Sequence, residues 1–215
     1  MKNKIKKRWR FNGILTQKGW ITPAYVVIDE NGFIEKINTT PDESLPEPLE
    51  KINGWALPPF VNSHSHAFQY AIVGNTEHLS GEILPNDFWS WRQAMYQVAL
   101  RVSPDQVRKI AAALYAEMIR VGYHWVVEFN YLHHDVHGTP YNNIAEIGQS
   151  LLAAAKEAGI GITLVPVYYR LGGFGKPALP DQKRFCFSSL DDYFKLVEKL
   201  YKEESPMVRI GGGVH

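Results

Sequence analysis

Two patterns of apolar positions divide the chain near Trp55. Before it, short apolar runs are separated by turn chemistry: Ala24-Tyr25-Val26-Val27-Ile28-Asp29, then Asn31-Gly32, then Phe33-Ile34-Glu35-Lys36-Ile37. An Asn-Gly pair tolerates positive φ, so this stretch is predicted to be a hairpin. The polar, Pro-rich stretch 39–48 reads as a loop leading back to Ile52. From Leu57 onward, apolar runs of strand length alternate with stretches at helical spacing, which predicts βα units on a parallel sheet. The expected domains are therefore a small β-rich part, 1–56, and a β/α part, 57–215.

The second part predicts four strands, at 60–63, 124–129, 161–167 and 208–214. Helices fall between them. Ser103-Pro104-Asp105-Gln106 combines an N-cap hydroxyl, proline at the first helical position and a glutamine three residues on, ahead of an apolar stripe running to Arg120. A second helix is expected over 143–158, stopped by Gly159, and a third opens at Ser189-Leu190-Asp191-Asp192 and runs to about Glu203. Their apolar stripes need only a structural reading.

Composition narrows the class. With 215 residues, 45% hydrophobic and 21% charged, the chain can bury a sizeable core and has no signature of disorder. Lys+Arg 23 against Asp+Glu 22 leaves a net charge of +1, which gives no field for nucleic acid or an anionic membrane. The basic start, Lys2 to Arg10, reads as a solvated edge or a local electrostatic contact. No apolar core of a secretory signal follows it, and no apolar run approaches the ~20 residues of a membrane span. The single Cys186 cannot form an internal disulfide, so a cytoplasmic location is expected. Its neighbours Phe185 and Phe187 favour a packed thiol over a nucleophile.

The chemistry begins at Asn62-Ser63-His64-Ser65-His66, after the run Leu57-Pro58-Pro59-Phe60-Val61. Side chains alternate across a strand, so His64 and His66 point to the same side and can place two imidazole nitrogens on one cation. Zinc suits such ligands, although imidazole also accepts iron, nickel or cobalt. A surface pair, or one satisfied core histidine, is the structural alternative.

Ala67-Phe68-Gln69, Phe88-Trp89-Ser90-Trp91-Arg92 and Glu128-Phe129-Asn130-Tyr131-Leu132-His133-His134-Asp135 follow in that order. Together these segments resemble the formimidoylglutamate deiminases, a branch of the amidohydrolase superfamily, from about Leu57 to the last residue. His-Ser-His-Ala-Phe-Gln and Tyr-Leu-His-His-Asp carry the resemblance most specifically. Phe60-Val61-Asn62 departs from a Met-Pro-Asn-like approach in the family, and Asn130 stands where a histidine is common. The resemblance implies an α/β fold: a metal-dependent (β/α)8 TIM-like barrel preceded by part of a small β-sandwich. Only four of eight strands can be counted, so the chain is expected to be the N-terminal part of a longer protein, truncated after barrel strand 4.

The implied reaction is hydrolytic deimination of N-formimino-L-glutamate to N-formyl-L-glutamate and ammonia, a step of histidine degradation, by metal-activated water. His64 and His66 would be metal ligands. A further histidine after strand five, an aspartate after strand eight and the proton-handling groups would lie beyond residue 215, so no catalytic residue is assigned within this chain. Gln69 stands where the family has a substrate-contacting glutamine; the alternative is a loop-capping amide. Arg92 fits a substrate carboxylate bidentately, or lies on a helix surface over Trp89. Tyr131 donates to a carboxylate or packs in the core. His215 reads as a third metal histidine at first sight, but the strand count moves it to substrate contact. His133 and His134 are expected to organise their loop. Glu128 could face the barrel interior, its role open, and His78, His124 and His137 are ordinary. The expected partners are the small-molecule substrate and a second copy in a full-length homodimer. The competing readings are an aminohydrolase of purine or pyrimidine rings, and an inactive fragment or interaction module.

Overall fold

The computed structural model describes residues 7–43, 49–74 and 88–215. Residues 2–6 of the basic start, 44–48 of the Pro-rich loop and His78 lie outside them. The chain separates into two compact units, Met1–Pro59 and Phe60–His215, three residues beyond the expected division.

In the first unit the strands are β1 (Lys7–Phe11), β2 (Gly13–Thr16), β3 (Gly19–Ile21), β4 (Ala24–Ile28), β5 (Ile34–Asn38), β6 (Leu49–Lys51) and β7 (Trp55–Ala56). They form two sheets, ordered β5-β4-β1-β6 and β3-β2-β7. The predicted hairpin is β4–β5, antiparallel from Tyr25↔Asn38 to Ile28↔Ile34. Asp29 organises its turn, since one side-chain oxygen accepts from the backbone N–H groups of Asn31 and Phe33 at 2.8 and 2.9 Å.

The second unit contains β8 (Phe60–Ser65), α1 (Phe88–Ala99), α2 (Pro104–Arg120), β9 (Tyr123–Asn130), α3 (Glu146–Ala158), β10 (Gly161–Tyr168), β11 (Leu171–Gly173), β12 (Lys176–Pro177), α4 (Leu190–Tyr201), β13 (Val208–Ile210) and β14 (Gly213–Val214). Its main sheet is parallel and ordered β8-β9-β10-β13, with β14 also on β10. Neighbours in the sheet are thus neighbours in the chain. A doubly wound sheet would reverse direction at a switch point; this one advances one way, as the wall of a barrel does. The expected fourth strand is present in two pieces, β13 and β14, interrupted at Gly211-Gly212.

The helix signals act where they stand. Ser103 Oγ accepts from the Gln106 N–H at 3.2 Å and Gln106 Oε1 accepts from the Ser103 N–H at 2.9 Å, a reciprocal capping box at the start of α2. Ser189 caps α4 by accepting from the Asp192 N–H at 3.1 Å. α3 begins at Glu146, three residues later than expected, because the Asn143 side chain bonds the Ala145 N–H and the Glu146 and Gln149 side chains ahead of the first turn. It stops at Gly159, whose φ of 84° closes the helix in the left-handed region. Val126, Ile162, Leu164 and Ile210 of the sheet are buried in one core with Ala111 and Tyr115 of α2, Leu151 and Ala155 of α3, and Leu196 and Leu200 of α4.

Alternation along β9 corrects one expectation. Glu128, only 1% exposed, shares the face of Val126 and neighbours Tyr115 of α2, so it lies in the sheet–helix layer and not in the barrel interior. The interior face carries Phe129 and, just past the strand, Tyr131.

Arg184 is fully buried and ties several segments together through carbonyl oxygens. Its guanidinium donates to His134 O at 2.8 Å, to Val102 O at 2.9 Å, to Ala99 O and to the Tyr141 hydroxyl at 3.1 Å. In return, the Arg184 carbonyl accepts from the N–H groups of His133 and His134. A buried charge is tolerated only with such saturation. The result fixes the segment after β12 against the loop after β9.

Candidate active site

Strand β8 leaves its regular ladder where the chemistry begins. Its register on β9 is irregular between Asn62 and Ser65, and Asn62 Oδ1 accepts the His64 N–H at 3.1 Å. His64 and His66 nevertheless share a side, with their Nε2 atoms 3.1 Å apart. His66 Nδ1 bonds the Phe129 carbonyl at 2.8 Å. A carbonyl only accepts, so the proton is on Nδ1 and Nε2 presents a lone pair, the arrangement seen behind metal-bound imidazoles. Burial holds the His66 pKa below the ordinary histidine value, the Phe129 bond opposes that shift, and His64 adds to it. His64 stacks on the Phe129 ring at 4.4 Å and 28°.

The pair fits a cation. Two nitrogens sharing a tetrahedral ion at about 2.0–2.1 Å lie roughly 3.3–3.4 Å apart, and 3.1 Å is observed. Among the described residues no group of three or more His, Cys, Asp or Glu side chains is placed to hold a metal, so these two stand as a pair.

Around them opens a cleft of ≈ 510 Å³ whose lining includes His64, His66, Gln69, Arg92, Tyr131 and His215, all six residues singled out from the sequence. Gln69, on the short 3-10 turn Ala67–Ile72, donates from Nε2 to the Tyr131 hydroxyl at 2.6 Å. Its amide is thus a partner of the pocket wall and not a loop cap. Arg92 on α1 lies over the Trp89 and Tyr96 rings at 5.4 and 5.3 Å, and its Nε donates to the Tyr96 hydroxyl at 3.0 Å. Helix-surface stacking and a place in the cleft are therefore both realised. His215 stacks on Tyr169 at 3.9 Å and 15°, while its N–H bonds the Tyr168 carbonyl at 3.0 Å. Burial raises the Tyr131 pKa well above the ordinary phenol range, with Gln69 opposing, so the ring keeps its proton. A larger cleft of ≈ 690 Å³ lies at the opposite, N-terminal side of the strands, where Lys156 and Glu203 are its charged side chains. Volume does not select the site; the histidine pair does.

No family model matches the chain. Over 188 residues, 86% of its length, the chain is 42% identical to the formimidoylglutamate deiminase of Pseudomonas aeruginosa. The chain is a relative of formimidoylglutamate deiminase. It spans 40% of that enzyme's length. Among solved structures, an amidohydrolase from Brucella melitensis superposes with a TM-score of 0.85 at 35% identity, covering 96% of this chain and 45% of the other. An atrazine chlorohydrolase from Arthrobacter aurescens, complexed with zinc, superposes with a TM-score of 0.70 at 20% identity over 96% of this chain and 46% of the other, which is a likeness of fold alone.

In this deiminase relative the structure also assigns work that the sequence reading left open. His133 and His134 are both buried; their Nε2 atoms bond the carbonyls of Val167 at 3.0 Å and Cys186 at 2.9 Å, tying the loop after β9 to the end of β10 and the segment beyond. Burial pushes the His133 pKa down to about 3, which keeps the ring neutral. Phe129, Tyr96, Tyr169, Gln182 and Phe185 line the cleft without having been singled out. Tyr169 lies just past the strand expected at 161–167, which was the signal that could have found it. Gln182 had no sequence signal, because its partners are 13 and 86 residues away.

Proposed function

We propose that this chain forms the histidine-pair and substrate-recognition side of a formimidoylglutamate deiminase site, which hydrolyses N-formimino-L-glutamate to N-formyl-L-glutamate and ammonia. One observation carries the reading: residues from the ends of four successive parallel strands meet in one cleft around two imidazole nitrogens 3.1 Å apart. Strand C-terminal ends are where barrels build their active sites. A divalent cation between His64 and His66, which we read as zinc by analogy with the zinc-bound fold relative, would supply Lewis acidity that activates water near neutral pH. The remaining ligands and the proton-transfer groups are assigned to the portion of the relatives' fold that this chain does not span, as is closure of an eight-stranded barrel. The two N-terminal sheets are read as part of a small β-sandwich. We place the complete protein in the cytoplasm as a homodimer.

The chain's own residues bind and orient. Among the described residues Arg92 has a hydrogen-bond partner only at Nε, which leaves its terminal nitrogens for the two oxygens of a carboxylate. Tyr131 accepts from Gln69, and its own O–H meets only the weak acceptor Met95 Sδ at 4.0 Å, which a carboxylate oxygen would outcompete. His215 offers a ring edge from the stack on Tyr169. Such a donor-rich wall suits a dicarboxylate substrate and has no counterpart need in a neutral nucleobase.

The test is ammonia release by the complete, zinc-loaded protein from N-formimino-L-glutamate, beside guanine and cytosine. Turnover of the formimino compound alone is expected, with His64→Ala losing bound zinc and turnover together. Preference for a nucleobase would overturn the substrate reading, and full zinc retention in His64→Ala would overturn the ligand assignment.

A further inference from the structure

Gln182 is 1% exposed and sits at the end of a short 3-10 turn, Pro180–Gln182, in the segment between β12 and α4. Its orientation is fixed without ambiguity. The Leu179 backbone N–H, which can only donate, bonds the side-chain Oε1 at 2.7 Å, so the –NH2 points the other way. That group donates to the Tyr96 hydroxyl at 3.0 Å and to the Tyr169 hydroxyl at 2.8 Å. Gly172 makes room for the amide, because a Cβ there would stand 3.0 Å from Oε1 and 2.5 Å from the Pro177 carbonyl.

The direction of these bonds matters. Tyr96 Oη accepts from Gln182 and also from Arg92 Nε, so its lone pairs are occupied and its proton is left to donate. Tyr169 Oη accepts from Gln182 through one lone pair, which turns its proton away from the amide and leaves it to donate. Burial raises the Tyr169 pKa to about 12, so the phenol stays protonated. Both rings line the cleft, and each carries one of the proposed substrate contacts: Arg92 lies over Tyr96, and His215 stacks on Tyr169. A single amide therefore joins supports that come from α1 and from the end of β10.

We infer that Gln182 is a positioning residue: by donating to Tyr96 and Tyr169 it turns both hydroxyls into donors toward a substrate carboxylate and steadies Arg92 and His215 above those rings. This rests on the deiminase reading and extends it, assigning Tyr96 and Tyr169 to the carboxylate-binding wall beside Arg92 and Tyr131. Replacement by glutamate would reverse the polarity, since a carboxylate there accepts from the two hydroxyls and draws their protons away from the cleft.

The experiment uses the complete, zinc-loaded protein with Gln182→Met, Gln182→Glu, Tyr96→Phe and Tyr169→Phe. Gln182→Met is expected to raise KM for N-formimino-L-glutamate about tenfold while kcat changes less than about threefold, the split that marks lost binding of ground and transition states alike. Zinc content should stay at the wild-type level. Gln182→Glu should raise KM further. In the Tyr96→Phe/Tyr169→Phe background, Gln182→Met should have little additional effect on KM, because the hydroxyls it acts through are gone. Calorimetric titration with N-formyl-L-glutamate reads the same loss without turnover. Wild-type turnover with an unchanged KM in Gln182→Met, or undiminished effects of Gln182→Met without the hydroxyls, would overturn the inference alone. If the Gln182 variants do not fold, an unchanged KM in both single Tyr→Phe variants would overturn it. Absence of wild-type turnover and of N-formyl-L-glutamate binding would overturn the deiminase reading and this extension with it.

Discussion

Glu128 shows how one buried group can set a pH dependence away from the cleft. Its Oε1 accepts the Ala67 N–H at 2.6 Å, at the first turn of the segment that carries Gln69, while Oε2 and the neighbouring Tyr115 hydroxyl are buried without a hydrogen-bond partner. Burial pushes its pKa up to about 7, opposed by the bond from the Ala67 N–H and by the nearby hydroxyls of Ser65 and Tyr115, which favour the charged form without bonding Oε2. A folded-state pKa above the unfolded value means that the native protein binds the extra proton between roughly pH 4.5 and 7, so this group's contribution is fully present below that window and is lost as pH rises through it. The contribution is on the order of 3 kcal/mol. Glu128→Gln keeps an acceptor for the Ala67 N–H and removes the ionisation. It is expected to be more stable than the parent at pH 8 and to show a flatter dependence of Tm between pH 5 and 8; identical slopes in the two proteins would refute the assignment. At this scale the sequence carried the histidine pair and the cleft-lining residues through short motifs, but it left Glu128 open. Strand alternation says only that Glu128 and Phe129 face opposite ways; which face meets α2 is decided by the long-range packing of Tyr115.

Elements were legible where their ends carry local chemistry. Ser103-Pro104-Asp105-Gln106 and Gly159 fixed the start of α2 and the stop of α3, since caps act on neighbours in sequence. The start of α3 was misread by three residues because Asn143 spends its amide on Glu146 and Gln149 and the chain enters the helix only afterwards. The hairpin β11–β12 and the turn that carries Gln182 gave no periodicity to read. The capping box yields a prediction of its own. Ser103→Ala should lower stability by about 1 kcal/mol, and Ser103→Gly by only a few tenths. Urea unfolding checks both through a lower midpoint at unchanged slope. A Ser103→Ala midpoint equal to the parent's would show that Pro104 and the packed face of α2 alone hold that end.

At the scale of the whole molecule, the one-directional strand order makes the six candidate residues converge although they come from positions as far apart as 64 and 215. That convergence was readable for His64, His66, Tyr131 and His215, which stand at the ends of apolar runs that parallel strands put on one side, and only through their motifs for Gln69 and Arg92, which lie on the 3-10 turn after β8 and on α1. What could not be read is the layer behind it, where Arg184 and Gln182 bind partners 13 to 86 residues away through carbonyls and hydroxyls that leave no pattern in sequence. The same geometry predicts how the 215-residue chain behaves by itself. His64 and His66 offer two nitrogens, and among the described residues no further His, Cys, Asp or Glu joins them. Two ligands leave a four-coordinate zinc half held, so binding should be weak and deiminase turnover absent. Among the described residues the sheet also has edge strands: β8 pairs on one side only with β9, and β13 and β14 on one side only with β10. Unpaired N–H and C=O groups along such edges template association, so the purified chain should sediment as oligomers or aggregates. The check is a zinc titration, ammonia release from N-formimino-L-glutamate and sedimentation, all on the purified chain. A monomer that binds zinc stoichiometrically and releases ammonia would show that His215 or the His133–His134 pair completes the metal site, and that a half-barrel wall suffices for the chemistry.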